Sequence, residues 1–204
     1  MKIGPKYKIC KRLGASVFEK CQTKAFQIAE ARAPRQTSRK GARGGSDYGP
    51  QLIEKQKARF TYGISERQFH RYAKEAMEGH GSNSAGELLA RLESRLDNVV
   101  YRAGFAPTRR AARQIVSHGH ITVNGRRMTV PSFHVESGMT IAIRTESRTS
   151  PFFANRAEKM TEFRTPAWME IGDSGFSTQI TANPTATATD VAFDPAIIIQ
   201  FYSR

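Results

Sequence analysis

The stretch that decides the fold, residues 92–135, reads LESRLDNVVYRAGFAPTRRAARQIVSHGHITVNGRRMTVPSFHV. It contains the signals of two short helices followed by a hairpin. Gly104 is placed to end the first helix, and Pro107-Thr108 to begin the second. Alternating apolar residues then lead into Asn124-Gly125, the strongest short signal for a type I′ turn. With a further strand expected at 139–144, the stretch predicts an α-α-β-turn-β-β module.

The second helix of the module has an apolar side and a basic side. The predicted buried side consists of Ala111, Ala112, Ile115 and Val116. Three arginines remain for the other side, Arg109, Arg110 and Arg113, near a helix N-terminus whose backbone N–H groups and dipole favour an anion. The alternative is a solvated helix face, but residues 108–118 contain no Asp or Glu that would balance the arginines. No dimeric groove-reading motif is present, so the pattern favours a structured RNA over duplex DNA.

Helices are predicted before the module. Gly49-Pro50 precedes a helix at 51–60, because proline is well suited to a first helical turn. Two Ser-x-x-Gln/Glu capping boxes, at 65–68 and 84–87, begin later helices. The second of these helices is expected to continue to Val100.

Weaker patterns follow the module. We expect a helix at 153–163, a short strand at 168–171, a Thr/Ala-rich surface loop at 179–190 and a buried strand at 197–202. No internal repeat is visible.

The charge of the chain is high and uneven. The 204 residues carry 32 basic and 18 acidic side chains, a net charge of +14. Residues 1–46 hold 12 basic and 2 acidic side chains, and residues 93–156 hold 10 and 4. A surplus of this size favours a polyanionic partner.

Residues 35–46 are basic and too poor in apolar side chains to fold alone. Such a segment is either a flexible solvated tail or becomes ordered on its partner. The second interpretation is favoured here because guanidinium groups pair well with phosphate.

Composition and motifs exclude other classes. No apolar run approaches the roughly 18 residues of a membrane span, and the N-terminus lacks the apolar core of a signal peptide. The cytoplasm is therefore the expected location. There is no P-loop and no dinucleotide-binding fingerprint, so neither a nucleotide cofactor nor a small-molecule substrate is expected.

The two cysteines, Cys10 and Cys21, lie eleven residues apart. A structural zinc site usually needs four ligands at short spacings, and the nearest histidine is His70. Two reduced thiols are the expected state, with no metal.

No catalytic constellation is assembled in the sequence. Glu93 and Asp97 lie four residues apart on what is predicted to be one helix, where neighbouring arginines indicate charge balance rather than acid–base catalysis. His118 and His120 flank Gly119 without further metal ligands, and are expected to touch phosphate or to pack at a helix end. The chain is not expected to be an enzyme.

Residues 95–128, RLDNVVYRAGFAPTRRAARQIVSHGHITVNGRRM, resemble the RNA-binding module named after small-subunit ribosomal protein S four. That module also occurs in pseudouridine synthases, tyrosyl-tRNA synthetases and heat-shock proteins. More specific matches are EKQKARFTYGISERQF at 54–69, GPKYKICKRLG at 4–14, SDYG at 46–49 and FYSR at 201–204. Over nearly its whole length, the chain is similar to the bacterial form of that ribosomal protein family.

The resemblance implies a function and partners. Members of the family bind 16S rRNA directly, nucleate assembly of the body of the 30S subunit, contact ribosomal protein S five at an interface that affects decoding accuracy, and help to line the mRNA entry channel. It also implies an α+β fold, in which a mostly helical domain (47–92, completed by 154–204) carries the inserted RNA-binding module (93–153) and a basic N-terminal extension (1–46).

Carried over position by position, the resemblance implies a set of RNA-facing residues. They are Ser46, Asp47, Tyr48, Lys55, Lys57, Arg59, Arg67, Thr108, Arg109, Arg110, Arg113, Asn124, Arg126 and Arg127. Asn124 is expected to be structural as well.

The chain also departs from the family pattern. Some members bind zinc near the N-terminus through four cysteines, but Tyr7 stands at one of those positions, which indicates a zinc-free member. The segments 35–45 and 181–190 differ from the usual family sequence, so contacts there are not transferred. The alternatives are a free-standing RNA chaperone and an RNA-acting enzyme that carries the same module, although no remaining segment bears a catalytic motif.

Overall fold

The computed structural model describes residues 3–32, 47–79, 83–154, 165–172, 174–185 and 191–203. The chain forms two compact units, one of residues 1–88 with 187–204 and one of residues 89–186.

The first unit is helical. Its helices are α1 (Lys6–Leu13), α2 (Lys24–Arg32), α3 (Tyr48–Tyr62), α4 (Glu66–Glu78) and α9 (Pro195–Tyr202), with a 3-10 turn at Glu19–Cys21. The predicted cap of α4 is confirmed, since Ser65 Oγ accepts a hydrogen bond from Gln68 N at 3.4 Å. α4 buries Phe69, Tyr72, Ala73 and Ala76, which follow the helical period of the sequence.

The predicted strand at 197–202 is wrong, because this segment is helix α9. Asp194 Oδ1 accepts a hydrogen bond from Ala196 N at 2.8 Å, and Pro195 occupies the first turn. These two start signals outweigh the strand preference of the β-branched residues that follow.

The expectation of two reduced thiols is also wrong. Cys10 on α1 and Cys21 in the 3-10 turn form a disulfide, and neither residue is exposed. The chain reverses after α1 at Gly14, whose φ is +61°. This reversal brings together two cysteines that look distant in the sequence. They lie in a small core with Ile9, Leu13, Phe18, Phe26 and Phe60.

The second unit contains the helices of the module. They are α5 (Ser84–Glu93), within which the boundary between the units falls, α6 (Leu96–Arg102), α7 (Arg109–Ser117) and α8 (Pro151–Ala154), with a 3-10 turn at Thr145–Ser147. The predicted start of α7 is confirmed, and Gly104 and Gly119 follow the helix ends with φ of +68° and +77°. Of the helix predicted at 153–163, only the part up to residue 154 lies within the described residues.

One continuous helix from Ser84 to Val100 was predicted, and this is wrong. Arg95 is extended, with φ −67° and ψ +134°, and forms a bridge to His134. The apolar period runs on through this break, so the pattern hides it. The predicted capping box is shifted as well, because Asn83 Oδ1 accepts from Gly86 N at 2.9 Å.

Five strands form one antiparallel sheet in the order β2-β1-β3-β5-β4. They are β1 (Ile121–Val123), β2 (Arg126–Met128), β3 (Thr140–Ile143), β4 (Met169–Ile171) and β5 (Ser177–Ile180). β5 extends into the region that was predicted to be a loop from residue 179, so that prediction is wrong for Gln179 and Ile180. Residues 186–190 lie outside the described part of the chain.

The predicted hairpin turn is confirmed. Val123 pairs with Arg126, and Asn124 and Gly125 have φ of +48° and +79°. Asn124 Oδ1 also accepts a hydrogen bond from Thr140 N at 2.8 Å, so the turn residue ties the hairpin to β3.

The core of the second unit lies between α6, α7 and the sheet. Its fully buried residues include Leu96, Val99, Val100, Ala112, Val116, Ile121 and Ile141. The mixed α+β fold is confirmed. The compact units differ from the expected domain boundaries, because β4 and β5 extend the sheet of the module and only residues from 187 onward return to the helical unit.

Candidate nucleic-acid interface

A buried carboxylate on α6 holds the Arg113 side chain. Asp97 is 3% exposed, and its Oδ2 accepts hydrogen bonds from Arg113 Nε at 2.8 Å and Nη2 at 2.7 Å. The same oxygen accepts from Arg95 Nη2 at 2.7 Å, and Oδ1 accepts from Arg95 Nε at 3.0 Å. Since a buried charge requires paired, hydrogen-bonded partners, the two arginines and the carboxylate fix one another.

A second buried carboxylate, that of Glu93, is connected to Arg109 through the side-chain amide of Asn98. Glu93, at the end of α5, is fully buried and accepts from Arg102 Nε and Nη2 at 3.0 and 3.1 Å. Glu93 Oε2 also accepts from Asn98 Nδ2 at 2.8 Å, while Asn98 Oδ1 accepts from Arg109 Nε at 2.8 Å. The Arg109 guanidinium lies 4.5 Å from the centroid of the Tyr101 ring, a cation–π distance. Hydrogen bonds and stacking thus orient Arg109.

The charge balance expected for Glu93 and Asp97 is confirmed by these ion pairs. The two carboxylates lie on different helices, α5 and α6, rather than on one. The carboxylate that balances Arg113 on α7 comes from α6, so inspection of residues 108–118 alone did not reveal it. The positioning roles of Asp97 and Asn98 were missed at the sequence level.

Thr108 and Arg110 differ in role, although both lie at the start of α7. Thr108 Oγ1 accepts a hydrogen bond from Ala111 N at 3.1 Å, so its hydroxyl caps the helix. Arg110 is exposed, and in the part of the chain that the structure describes it forms no ion pair. Its guanidinium is therefore available for charge-assisted hydrogen bonds to an anion.

The hairpin places two exposed arginines, Arg126 and Arg127, on β2. Arg127 Nη2 donates to the carbonyl of His118 at 3.3 Å. Its guanidinium passes over Gly119, where a Cβ atom would overlap it. The loop after α7 and the second strand of the hairpin are thereby joined through an arginine that still faces solvent.

Lys55 of the first unit is buried rather than exposed. It is 6% exposed, and its Nζ lies 2.7 Å from Glu66 Oε1 and 4.7 Å from the centroid of the Phe201 ring. Arg59 Nη1 donates to Glu66 Oε2 at 3.2 Å, and the Tyr202 hydroxyl donates to Glu66 Oε1 at 2.7 Å. Both cations therefore connect α3 to α4 and α9.

These contacts perturb the titration of Glu66 and Tyr202. Burial alone would raise the pKa of Glu66, but the hydrogen bonds from Lys55 and Tyr202 and the nearby charges of Lys55 and Arg59 outweigh burial and lower the pKa. Burial and the Glu66 carboxylate raise the pKa of Tyr202 far above its usual value. The Tyr202 hydroxyl donates to Glu66 in this arrangement.

The other predicted residues of the first unit vary in exposure. Lys57 Nζ lies 2.6 Å from Glu54 Oε1, and both side chains are largely buried. Asp47, Tyr48 and Arg67 are exposed. Ser46 lies outside the described residues. Contact of each of these residues with RNA stays a prediction.

Within the described ranges, no group of three or more His, Cys, Asp and Glu side chains is placed to hold a metal ion. In the same ranges, no helix is long and apolar enough to cross a membrane.

Comparison with known proteins matches both parts of the chain. The family of the ribosomal protein S4/S9 N-terminal domain matches residues 1–93, and the S4 domain family matches residues 94–141. Small ribosomal subunit protein uS4 of Roseiflexus castenholzii is 44% identical over 99% of this chain and 98% of its own length. The uS4 proteins of Persephonella marina and Chloroflexus aurantiacus are 43% and 42% identical, over 98% and 99% of this chain and 98% of each relative.

The two family matches together cover residues 1–141, and the relatives are matched over nearly their whole length. The chain therefore belongs to the family of small ribosomal subunit protein uS4.

Proposed function

We propose that this chain is a structural constituent of the small ribosomal subunit in the cytoplasm, where it binds 16S rRNA directly. Its relatives are named as small ribosomal subunit proteins and not as enzymes, which supports a non-catalytic role. The net charge of +14 supports a polyanionic partner.

The observation that carries the proposal is the way α6 holds the arginines of α7. Asp97 and Asn98 each bind the Nε side of a guanidinium, in Arg113 and Arg109 respectively. A long cation normally loses side-chain entropy when it binds a phosphate, and prior fixation by a buried network reduces that cost. The same unit presents Arg110, Arg126 and Arg127 at its surface. A rigid, cationic face of this kind suits the fixed shape of a folded RNA.

The finer roles rest on the family resemblance. We propose that binding to 16S rRNA nucleates assembly of the 30S body. The chain would also contact ribosomal protein S five, contribute with it to translational accuracy, and adjoin mRNA at the entry channel. The exposed Asp47, Tyr48 and Arg67 of the first unit are available for such contacts.

Sedimentation of a cell lysate through a sucrose gradient tests the central proposal. The chain should sediment with the small subunit, whereas recovery mainly from the soluble fractions would contradict it and favour the alternative, a free-standing RNA chaperone with the same module. Reconstitution of the 30S particle without this chain tests the nucleating role. If the role is correct, the proteins that join later should no longer bind. Pull-down of purified protein S five tests that contact separately.

A further inference from the structure

A cavity of about 180 Å³ lies between α7 and α8 in the second unit. Gln114 lines it from α7, and Phe152 and Phe153 line it from α8. His118 and His120, which follow α7, also line it. The lining residues are not the ones that hold the side chains of Arg109 and Arg113, which are Asn98, Tyr101 and Asp97.

The cavity is lined by a continuous group of aromatic rings. The Phe152 and Phe153 ring centroids are 5.0 Å apart at 78°, and the Phe153 and His120 centroids are 6.2 Å apart at 67°. His118 extends the group, with its centroid 6.1 Å from that of His120. Phe153 is 2% exposed, as expected of a core residue, but Phe152 is 51% exposed. About half of the Phe152 residue is therefore accessible to a ligand.

Two arginines lie near residues that line the cavity. Arg127 donates to the carbonyl of His118, and Arg110 lies one helical turn before Gln114 on α7. Among the described residues that line the cavity, none is acidic. A ligand that combines a flat, polarisable ring with a nearby negative charge fits both features.

We propose that this cavity binds a single unpaired base of the RNA, stacked on Phe152, with its backbone phosphate near Arg127. This inference rests on the proposed rRNA-binding function and names one subsite of it. Aromatic side chains commonly stack unpaired RNA bases, and the Gln114 amide and the Ser150 hydroxyl lie in the lining as hydrogen-bonding groups for the base edge. The volume lies below the range of about 300–1,000 Å³ that is typical of small-molecule sites, which disfavours a larger metabolite.

Base-specific chemical probing of 16S rRNA in complex with the full chain tests this subsite. Four chains are compared: the unaltered protein, Phe152→Ala, Phe152→Leu and Phe152→Tyr. The unaltered chain and Phe152→Tyr should protect one unpaired base, because both keep a flat ring. Phe152→Ala and Phe152→Leu should leave that base reactive and bind RNA about 5- to 100-fold more weakly, the range expected for loss of one stacked base. The slope of log affinity against log salt should not change, because no phosphate contact is removed.

Val130→Ala is the matched control, because Val130 is an apolar residue of the same unit that is 50% exposed and lies outside the cavity. It should leave both protection and affinity unchanged. Thermal unfolding of each variant separates a folding defect from loss of the subsite.

The outcomes are distinct. Protection of the same bases by all four chains would overturn the proposal. If Phe152→Leu protected RNA like the unaltered chain, while Phe152→Ala only lowered retention in assembled subunits, the cavity would hold an apolar side chain of a neighbouring protein, which also overturns it. If the unaltered chain did not bind 16S rRNA at all, the proposed function itself would fail, a result distinguishable from loss of one protected base.

Discussion

The Asp97 carboxylate accepts two hydrogen bonds from the Arg113 guanidinium across the interface of α6 and α7, at 2.8 and 2.7 Å. Arg95, itself 3% exposed, binds the same carboxylate. One buried negative charge thus serves two cations, and only Arg113 reaches the surface.

Asp97→Asn should destabilise the second unit strongly. The substitution removes the charged carboxylate that the buried Arg95 pairs with, and breaking a buried ion pair from one side costs about 3–5 kcal/mol. Urea denaturation measures the change. Glu146→Gln is the control, because Glu146 forms an exposed pair with Arg144 that is screened by solvent, and its loss should change stability far less. Equal effects of the two substitutions would contradict the buried network.

Arg110→Ala and Arg113→Ala should have different effects on stability and on rRNA binding. Arg110 is exposed, so its removal should leave stability within about 0.5 kcal/mol of the unaltered chain. If Arg110 binds a phosphate, the salt slope of rRNA binding should fall by about 0.7–0.9. Arg113→Ala should lower both the stability and the affinity, because Arg113 also pairs with Asp97. An unchanged slope for Arg110→Ala would mean that this side chain only faces solvent.

Glu66→Gln should change how the stability of the fold depends on pH between neutral and acid conditions. The pKa of Glu66 is lower in the folded chain than its ordinary 4.5, so the carboxylate stabilises the fold above about pH 4.5. That contribution is lost as the pH falls through the folded pKa. The difference between the two chains should therefore be largest near neutral pH and vanish in acid. Because the Glu66 side chain is 42% exposed, a modest effect of about 1 kcal/mol or less is expected.

Thermal or urea unfolding across pH 2–7 checks this prediction about Glu66. Lys74→Met, which removes a cation from an exposed pair on the same helix, is the control and should change stability by less than about 0.5 kcal/mol. A difference between the Glu66→Gln variant and the unaltered chain that grew toward acid pH would contradict the direction of the pKa shift.

Gly119→Ala should cost about 1–2 kcal/mol, since the backbone there has a φ of +77°. The added methyl group would also displace the Arg127 guanidinium from the His118 carbonyl. Denaturation measures the loss of stability. Displacement of the Arg127 guanidinium should appear as a weaker affinity for rRNA. Gly4→Ala is a suitable control, because a Cβ there would meet nothing within 4 Å.

The disulfide between Cys10 and Cys21 can be tested directly. Peptide mapping without reductant should recover Cys10 and Cys21 in one linked fragment. Reduction should lower the stability of the first unit by about 2–3 kcal/mol, the range expected for a short closed loop. Since bonded sulfurs cannot act as thiolate ligands, metal analysis should find far less than one zinc per chain. Stoichiometric zinc would contradict the disulfide.

Local signals in the sequence predicted local structure well. Asn124-Gly125, Thr108 and Ser65 act where they stand, because a turn or a cap depends on neighbouring backbone groups. Strand propensity was less reliable where it competed with the start signal of a helix, as in the segment after Asp194. The break at Arg95 was invisible because the apolar period continues through it.

Partners that are distant along the chain could not be predicted. Lys55 looks like a surface cation on its own helix, and only the contribution of Glu66, Phe201 and Tyr202 buries it. The pairing of Arg113 with Asp97 joins two helices, and the Cys10–Cys21 bond joins a helix to a turn. The type of candidate site could thus be predicted from charge and resemblance, but not which cations are held within the protein.

The position of α9 in the chain affects the order in which the two units fold during synthesis. α9 packs on α3 and α4 and supplies Tyr202 to Glu66, so α3 and α4 lack part of their packing until α9 is made. Residues 89–186 form a compact unit that is complete in the growing polypeptide before α9 is synthesised. Domains usually fold in order from the N-terminus during synthesis, whereas here the middle of the chain can close first. The arginines of α7 can then take up their positions while the helical unit around α3 still lacks α9.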